Sequence, residues 1–114
     1  MAQDILRIGT SRGDRGQTIF ALEGPLNIHT VFTFQDAVRE DASPVLIVDF
    51  TGVPFIDSAG LGAMVGAAVS TRKASRKILF AAMNKQARAL VEMTRVNQLL
   101  HTYDTVKEAE AAVH

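Results

Sequence analysis

Ser58 lies in the stretch Phe55-Ile56-Asp57-Ser58-Ala59-Gly60-Leu61-Gly62, where a hydroxyl, a carboxylate and two glycines sit within a few residues of one another. Three chemistries suit such a serine. As a nucleophile it would need a strained strand-to-helix turn of the Gly-x-Ser-x-Gly kind, a histidine to take its proton and an acid to orient that histidine. Ile56 occupies the first glycine position of that pattern, and neither His29 nor His101 has a local setting that suggests a base. As a helix N-cap, the Ser58 hydroxyl would accept a hydrogen bond from an N–H two or three residues on. As a modification site, it is placed at a helix start open to a kinase, where free amides and the helix dipole tolerate a dianion. Phosphorylation would add roughly −1.5 to −2 charges beside Asp57. The pattern argues against hydrolysis and leaves cap and modification side by side.

Other chemistries lack their parts. Gly60-x-Gly62-x-x-x-Gly66 loosely matches a dinucleotide fingerprint, but its first glycine comes ten residues after Phe50, and Phe80 stands where an acid for the ribose belongs. No Gly-Lys-Ser or Gly-Lys-Thr occurs, and the three histidines have no ligand-like spacing, so neither a phosphate loop nor a metal site is expected, and no cofactor. Twelve basic residues balance twelve acidic ones, which offers no electrostatic case for direct nucleic-acid binding or for an anionic membrane. Arg72, Lys73, Arg76 and Lys77 read as cations complementing a helix C-terminus and projecting into water. The chain has no cysteine, no basic and apolar leader and no apolar run of membrane-spanning length, so a soluble cytoplasmic protein that is not an enzyme is expected.

The elements that must position Ser58 follow from periodicity. At 114 residues and 47% hydrophobic content, the chain reads as one domain over residues 1–114. Val45 to Val48 is an unbroken apolar run suited to a central strand covered on both faces, with Asp49 ending it. Thr51-Gly52 and Pro54 punctuate the chain before a helix opens at Ser58, with Leu61, Val65 and Ala68, joined by Met64 and Val69, as its apolar stripe. Three glycines within that helix cost stability, which predicts close backbone approach there. Upstream, residues 5–10 and 18–22 read as an antiparallel hairpin, and Val31, Phe34, Ala37 and Val38 mark a first helix that leaves Phe32 off its stripe. Downstream, residues 77–83 read as a strand parallel to the first buried one. Asn84 caps a third helix with Ala87, Leu90, Val91 and Thr94 inward, residues 99–103 form a last strand, and Thr105 to Glu108 form a capping box. The pattern is an α/β layer domain.

Asp49-Phe50-Thr51-Gly52-Val53 followed by Phe55 to Gly62 closely resembles the core motif of the STAS family, specifically the bacterial anti-sigma factor antagonists. Leu22 to Asn27 is similar to that family's second strand and following loop, and Tyr103 to Ala109 to its closing strand and helix. The resemblance implies a single STAS-like domain with a mixed sheet of four or five strands and about four packed helices. It implies a protein that binds an anti-sigma factor serine kinase and so releases a sigma factor. Ser58 matches the family's phosphorylated serine: the kinase would phosphorylate it with the kinase's own ATP, and a metal-dependent serine phosphatase would restore it. The implied partner-binding face comprises Asp57, Ser58, Ala59, Gly60 and Leu61, with Asn27, His29 and Thr30 beside it. Asn27 stands where the family often has an acid, and Lys85 where a proline often opens the third helix. STAS modules also serve, unphosphorylated, as interaction or scaffold subunits of signalling and transport complexes.

Overall fold

The computed structural model describes residues 4–113. In chain order the elements are β1 (Arg7–Arg12), β2 (Thr18–Glu23), α1 (Val31–Glu40), β3 (Val45–Gly52), α2 (Ser58–Lys73), β4 (Lys77–Ala81), α3 (Lys85–Met93), a 3-10 turn (Val96–Gln98), β5 (His101–Tyr103) and α4 (Val106–Ala111). The sheet has five strands in the order β1-β2-β3-β4-β5. β1 pairs antiparallel with β2, and the remaining pairs are parallel. Because the order is sequential and parallel crossovers are right-handed, α1, α2 and α3 fall on one face of the sheet. This is an α/β domain with a mixed sheet and four helices, in agreement with the sequence.

The apolar run of β3 has the expected cause. Leu46, Val48 and Phe50 point into the larger core with Phe34, Val38, Leu61, Met64 and Val91 of the three helices, while Ile47 joins Leu79, Ala81, Ala109 and Val113 under α4. Phe50 and Phe80 meet edge to face with ring centroids 6.1 Å apart. Asp49 does not end the strand, which runs on to Gly52. By alternation Asp49 lies on the α4 face, where it is only half-buried, and its Oδ1 accepts from the Thr51 N–H at 2.9 Å and hydroxyl at 2.6 Å. A carboxylate satisfied in this way is tolerated within a strand.

Other boundaries shift, the first strand running over Arg7–Arg12 and not residues 5–10. β4 stops at Ala81 because Ala82 takes φ 63° and turns the chain, its N–H donating to the Tyr103 carbonyl at 3.0 Å. The last strand begins at His101, since Leu99 closes the 3-10 turn. Thr94 is an exposed C-cap, not an inward residue of α3. On α2 the buried face is Leu61, Ala63, Met64, Ala67 and Thr71; Val65 and Ala68 lie at its flank, and Val69 is exposed. Only one of its three glycines meets another backbone, at Gly60, because side chains built at Gly62 and Gly66 would touch nothing. Arg76 also departs from the expected solvated cluster. It pairs with Asp41 at 2.7 Å and donates from Nε to the Ser43 carbonyl at 2.7 Å, whereas Arg72, Lys73 and Lys77 are exposed.

Candidate functional site

The connection from β3 to α2 crosses the C-terminal ends of the parallel strands and is clamped from both sides. On one side lies the turn after β2. Leu26 forms an isolated parallel bridge with Ile56, its N–H donating to the Phe55 carbonyl at 3.1 Å and its carbonyl accepting from the Asp57 N–H at 3.3 Å. On the other side lies the start of α3. Gln86 accepts from the Ile56 N–H at 3.0 Å and donates to the Ile56 carbonyl at 2.8 Å. Asn84 donates to the Pro54 carbonyl at 2.9 Å while its Oδ1 caps α3 through the Ala87 N–H at 2.9 Å. That cap works with Lys85, not proline, at the first helical position.

Asp57, not Ser58, is the N-cap of α2. The cap position requires extended backbone, which Asp57 supplies at φ −106° and ψ −174°. Its two carboxylate oxygens divide the work: Oδ1 accepts from the Gly60 N–H at 2.8 Å, and Oδ2 accepts from the Ile28 N–H at 3.1 Å in the turn after β2. A serine at this position would offer a single oxygen in place of these two. The same side chain therefore starts the helix and ties it to the neighbouring turn, with its negative charge at the favourable end of the helix dipole. Gly60 is required beside it, because a Cβ there would lie 2.1 Å from the Leu26 carbonyl oxygen.

Relieved of capping, Ser58 is the first residue of the helix and is exposed. Among the described residues none hydrogen-bonds its hydroxyl, and the non-glycine residues with positive φ are Ser75, Ala82 and Arg95, so its backbone is unstrained. His101 sits in β5, and the His29 backbone N–H donates to the Asn27 Oδ1 at 2.9 Å.

The residues named from the sequence come together at this corner in different states. Asp57 and Ala59 are half-buried, Ser58 and His29 are exposed, and Gly60 and Leu61 are buried. Thr30 is only 2% exposed; its hydroxyl accepts from the Asn27 N–H at 2.9 Å and donates to the Pro25 carbonyl at 2.8 Å, so it shapes the turn from within. Asn27 donates to the Asp4 carboxylate at 2.7 Å. Sequence reasoning missed the clamp from Gln86 and the paired role of Asp57. Phe32, off the stripe of its helix in the sequence, is 71% exposed, and two exposed apolar side chains that sequence reasoning did not single out, Ile28 at 61% and Phe55 at 47%, lie in the turn after β2 and in the β3–α2 connection. Neither of those two lies in a periodic segment, so no stripe marks them in the sequence.

A model of the STAS domain matches residues 10–109. Among curated proteins, none matches the chain by sequence. Among solved structures, an anti-sigma factor antagonist from Mycobacterium paratuberculosis is similar at a TM-score of 0.81 and 20% identity, over 96% of this chain and 94% of that one. The anti-sigma factor antagonist SpoIIAA in its unphosphorylated form is similar at 0.71 and 18% identity, over 95% of this chain and all (100%) of that one. The Bacillus cell fate determinant SpoIIAA in its phosphorylated form follows at 0.68 and 19% identity, with the same coverage of 95% and 100%. A sulfate transporter family protein from Wolinella succinogenes is similar at 0.66 and 20% identity, over 82% of this chain and 80% of that one. At these identities the likeness is one of fold. The family match, in contrast, runs from the β1–β2 hairpin through the Ser58 turn to α4, and the chain belongs to the STAS domain family.

Proposed function

We propose that this protein is an anti-sigma factor antagonist controlled by phosphorylation of Ser58. Unmodified, it binds an anti-sigma serine kinase through the corner built from the β3–α2 connection and the turn after β2, and a sigma factor is released. The kinase transfers the γ-phosphoryl group of its ATP to Ser58 Oγ; the hydroxyl proton is lost, ADP leaves and the protein lets go. A metal-dependent serine phosphatase hydrolyses the phosphoester and returns inorganic phosphate and the active form. The observation that carries this reading is the division of labour between Asp57 and Ser58: the cap is made by Asp57, which leaves an exposed serine hydroxyl with no structural duty at the first turn of α2. The likeness to antagonists, one of them solved both with and without phosphate, supports the same reading. Phosphate beside Asp57 on a desolvated face would cost about 3 to 4 kcal/mol, a hundredfold to thousandfold in affinity.

The test is phosphopeptide mass spectrometry on protein from its native cells, using the tryptic peptide Glu40 to Arg72. Phosphate localised to Ser58, changing in occupancy with stress, is the expected result. Its absence under every condition, with the unmodified peptide well detected, favours the second reading, an unphosphorylated interaction subunit of a signalling or transport complex. The similarity to a sulfate transporter family protein is the observation behind that alternative.

A further inference from the structure

Away from Ser58, the C-terminal halves of α1 and α2 enclose a groove of about 420 Å³. Its volume falls within the usual range of small-ligand sites, roughly 300 to 1,000 Å³. Val38 of α1 and Ala67 of α2 form an apolar floor, and Gly66 leaves the groove open, because a Cβ built there would meet nothing within 4 Å. An exposed glycine inside a helix costs stability relative to alanine, and here no internal contact repays it.

The polar lining has one character. Arg39 stands over the groove from α1 and Arg76 from beyond the end of α2, with Gln35 and Ser70 between, and among the described residues no acidic side chain lines it. Arg76 is held in place by the Ser43 carbonyl and Asp41, which use two of its five N–H donors. Among the described residues Arg39 is paired only with Asp36, one helical turn back on the exposed face of α1, and such surface pairs are weak enough to exchange for another carboxylate. Asp36 and Asp41 offset much of the guanidinium charge, which suits a monoanion better than a phosphate dianion. An apolar floor with guanidinium groups at its rim matches an apolar chain that ends in a carboxylate.

We propose that the α1–α2 groove binds a small amphiphilic carboxylate, its chain on Val38, Gly66 and Ala67 and its head between Arg39 and Arg76. The test is a titration of the full-length protein with sodium octanoate, followed by amide ¹H–¹⁵N correlation spectra. Saturable shifts confined to Val38, Gly66, Ala67, Ser70 and Ala74 are expected, with low-millimolar affinity for a probe of this size. Gly66→Leu, which fills the groove and replaces glycine with a better helix former, should abolish those shifts while the protein melts at an equal or higher temperature. Arg39→Glu, an exposed charge reversal, should weaken binding at least tenfold. Non-saturating or dispersed shifts, or an affinity unchanged in either variant, would overturn the proposal.

Discussion

Removing the Asp57 side chain tests how the Ser58 corner is built. In Asp57→Ala the Gly60 N–H loses its cap acceptor, for which the usual cost is about 1 kcal/mol. The Ile28 N–H loses a carboxylate partner at 3.1 Å, worth about another 1 kcal/mol once the partial exposure of the pair is allowed for. The expected loss is about 2 kcal/mol. For a chain of 114 residues the unfolding entropy is roughly 0.24 kcal/mol/K, so Tm should fall by about 8 °C. Asp57→Asn should recover about half of this, since an amide oxygen still accepts from Gly60 but its NH2 group cannot accept from Ile28. Ser58→Ala, which removes a hydroxyl with no partner, should change stability by less than about 0.5 kcal/mol. Urea unfolding of the three variants at one ionic strength decides the matter. If Ser58→Ala were the more damaging change, the cap would belong to Ser58 and the case for a hydroxyl free to be modified would fail.

Two glycines of the same helix should answer an alanine in opposite directions. Gly60→Ala drives a Cβ to 2.1 Å from the Leu26 carbonyl oxygen and should cost about 2 to 3 kcal/mol in urea unfolding, whereas Gly62→Ala should stabilise by about 0.5 to 1 kcal/mol. Changes of the same sign would refute the close approach. Gln86→Ala removes both bonds to the Ile56 backbone and should cost about 1 to 2 kcal/mol, with faster hydrogen exchange at the Ile56 amide as its local signature. Arg76→Ala strands Asp41, whose side chain is 12% exposed, and should cost about 3 kcal/mol; a loss below about 1 kcal/mol would show that the pair is as weak as a surface one.

Where periodicity and burial coincide, the sequence was readable. The run Val45 to Val48, the stripe Val31-Phe34-Val38 and the caps at Asn84 and Thr105 all report local rules, and each is found where it was expected. The misreadings have a different origin. A carboxylate usually marks a strand end, but the Asp49 side chain is satisfied by Thr51 two residues on. Serine and aspartate are about equally good caps, so the sequence leaves Ser58 a candidate beside Asp57; what separates them is the Ile28 N–H, which comes from 29 residues away and leaves no local trace. Gln86 was invisible for the same reason, its partner Ile56 lying 30 residues upstream. The Ser58 motif is legible in the sequence, while the scaffold that holds it rests mostly on long-range backbone contacts.

That scaffold bears on what a phosphate at Ser58 would do. The Gly60 N–H is already committed to Asp57, so a phosphate could not take that donor and would rely on the remaining free amides at the helix start. The helix dipole would favour it by about 0.3 to 1 kcal/mol. The Asp57 carboxylate would oppose it: two charges against one, about 6 Å apart in water, repel by roughly 1.4 kcal/mol before salt screening. These contributions nearly cancel. The domain would keep its fold, and the Leu26, Ile28 and Gln86 contacts that fix the corner would stay in place. What would change is the surface met by a partner, where a neutral hydroxyl beside exposed apolar side chains would become a dense anion. A modification that leaves its own domain almost unmoved acts through the binding face alone, and this is why a rigid, doubly clamped corner suits a switch read by another protein.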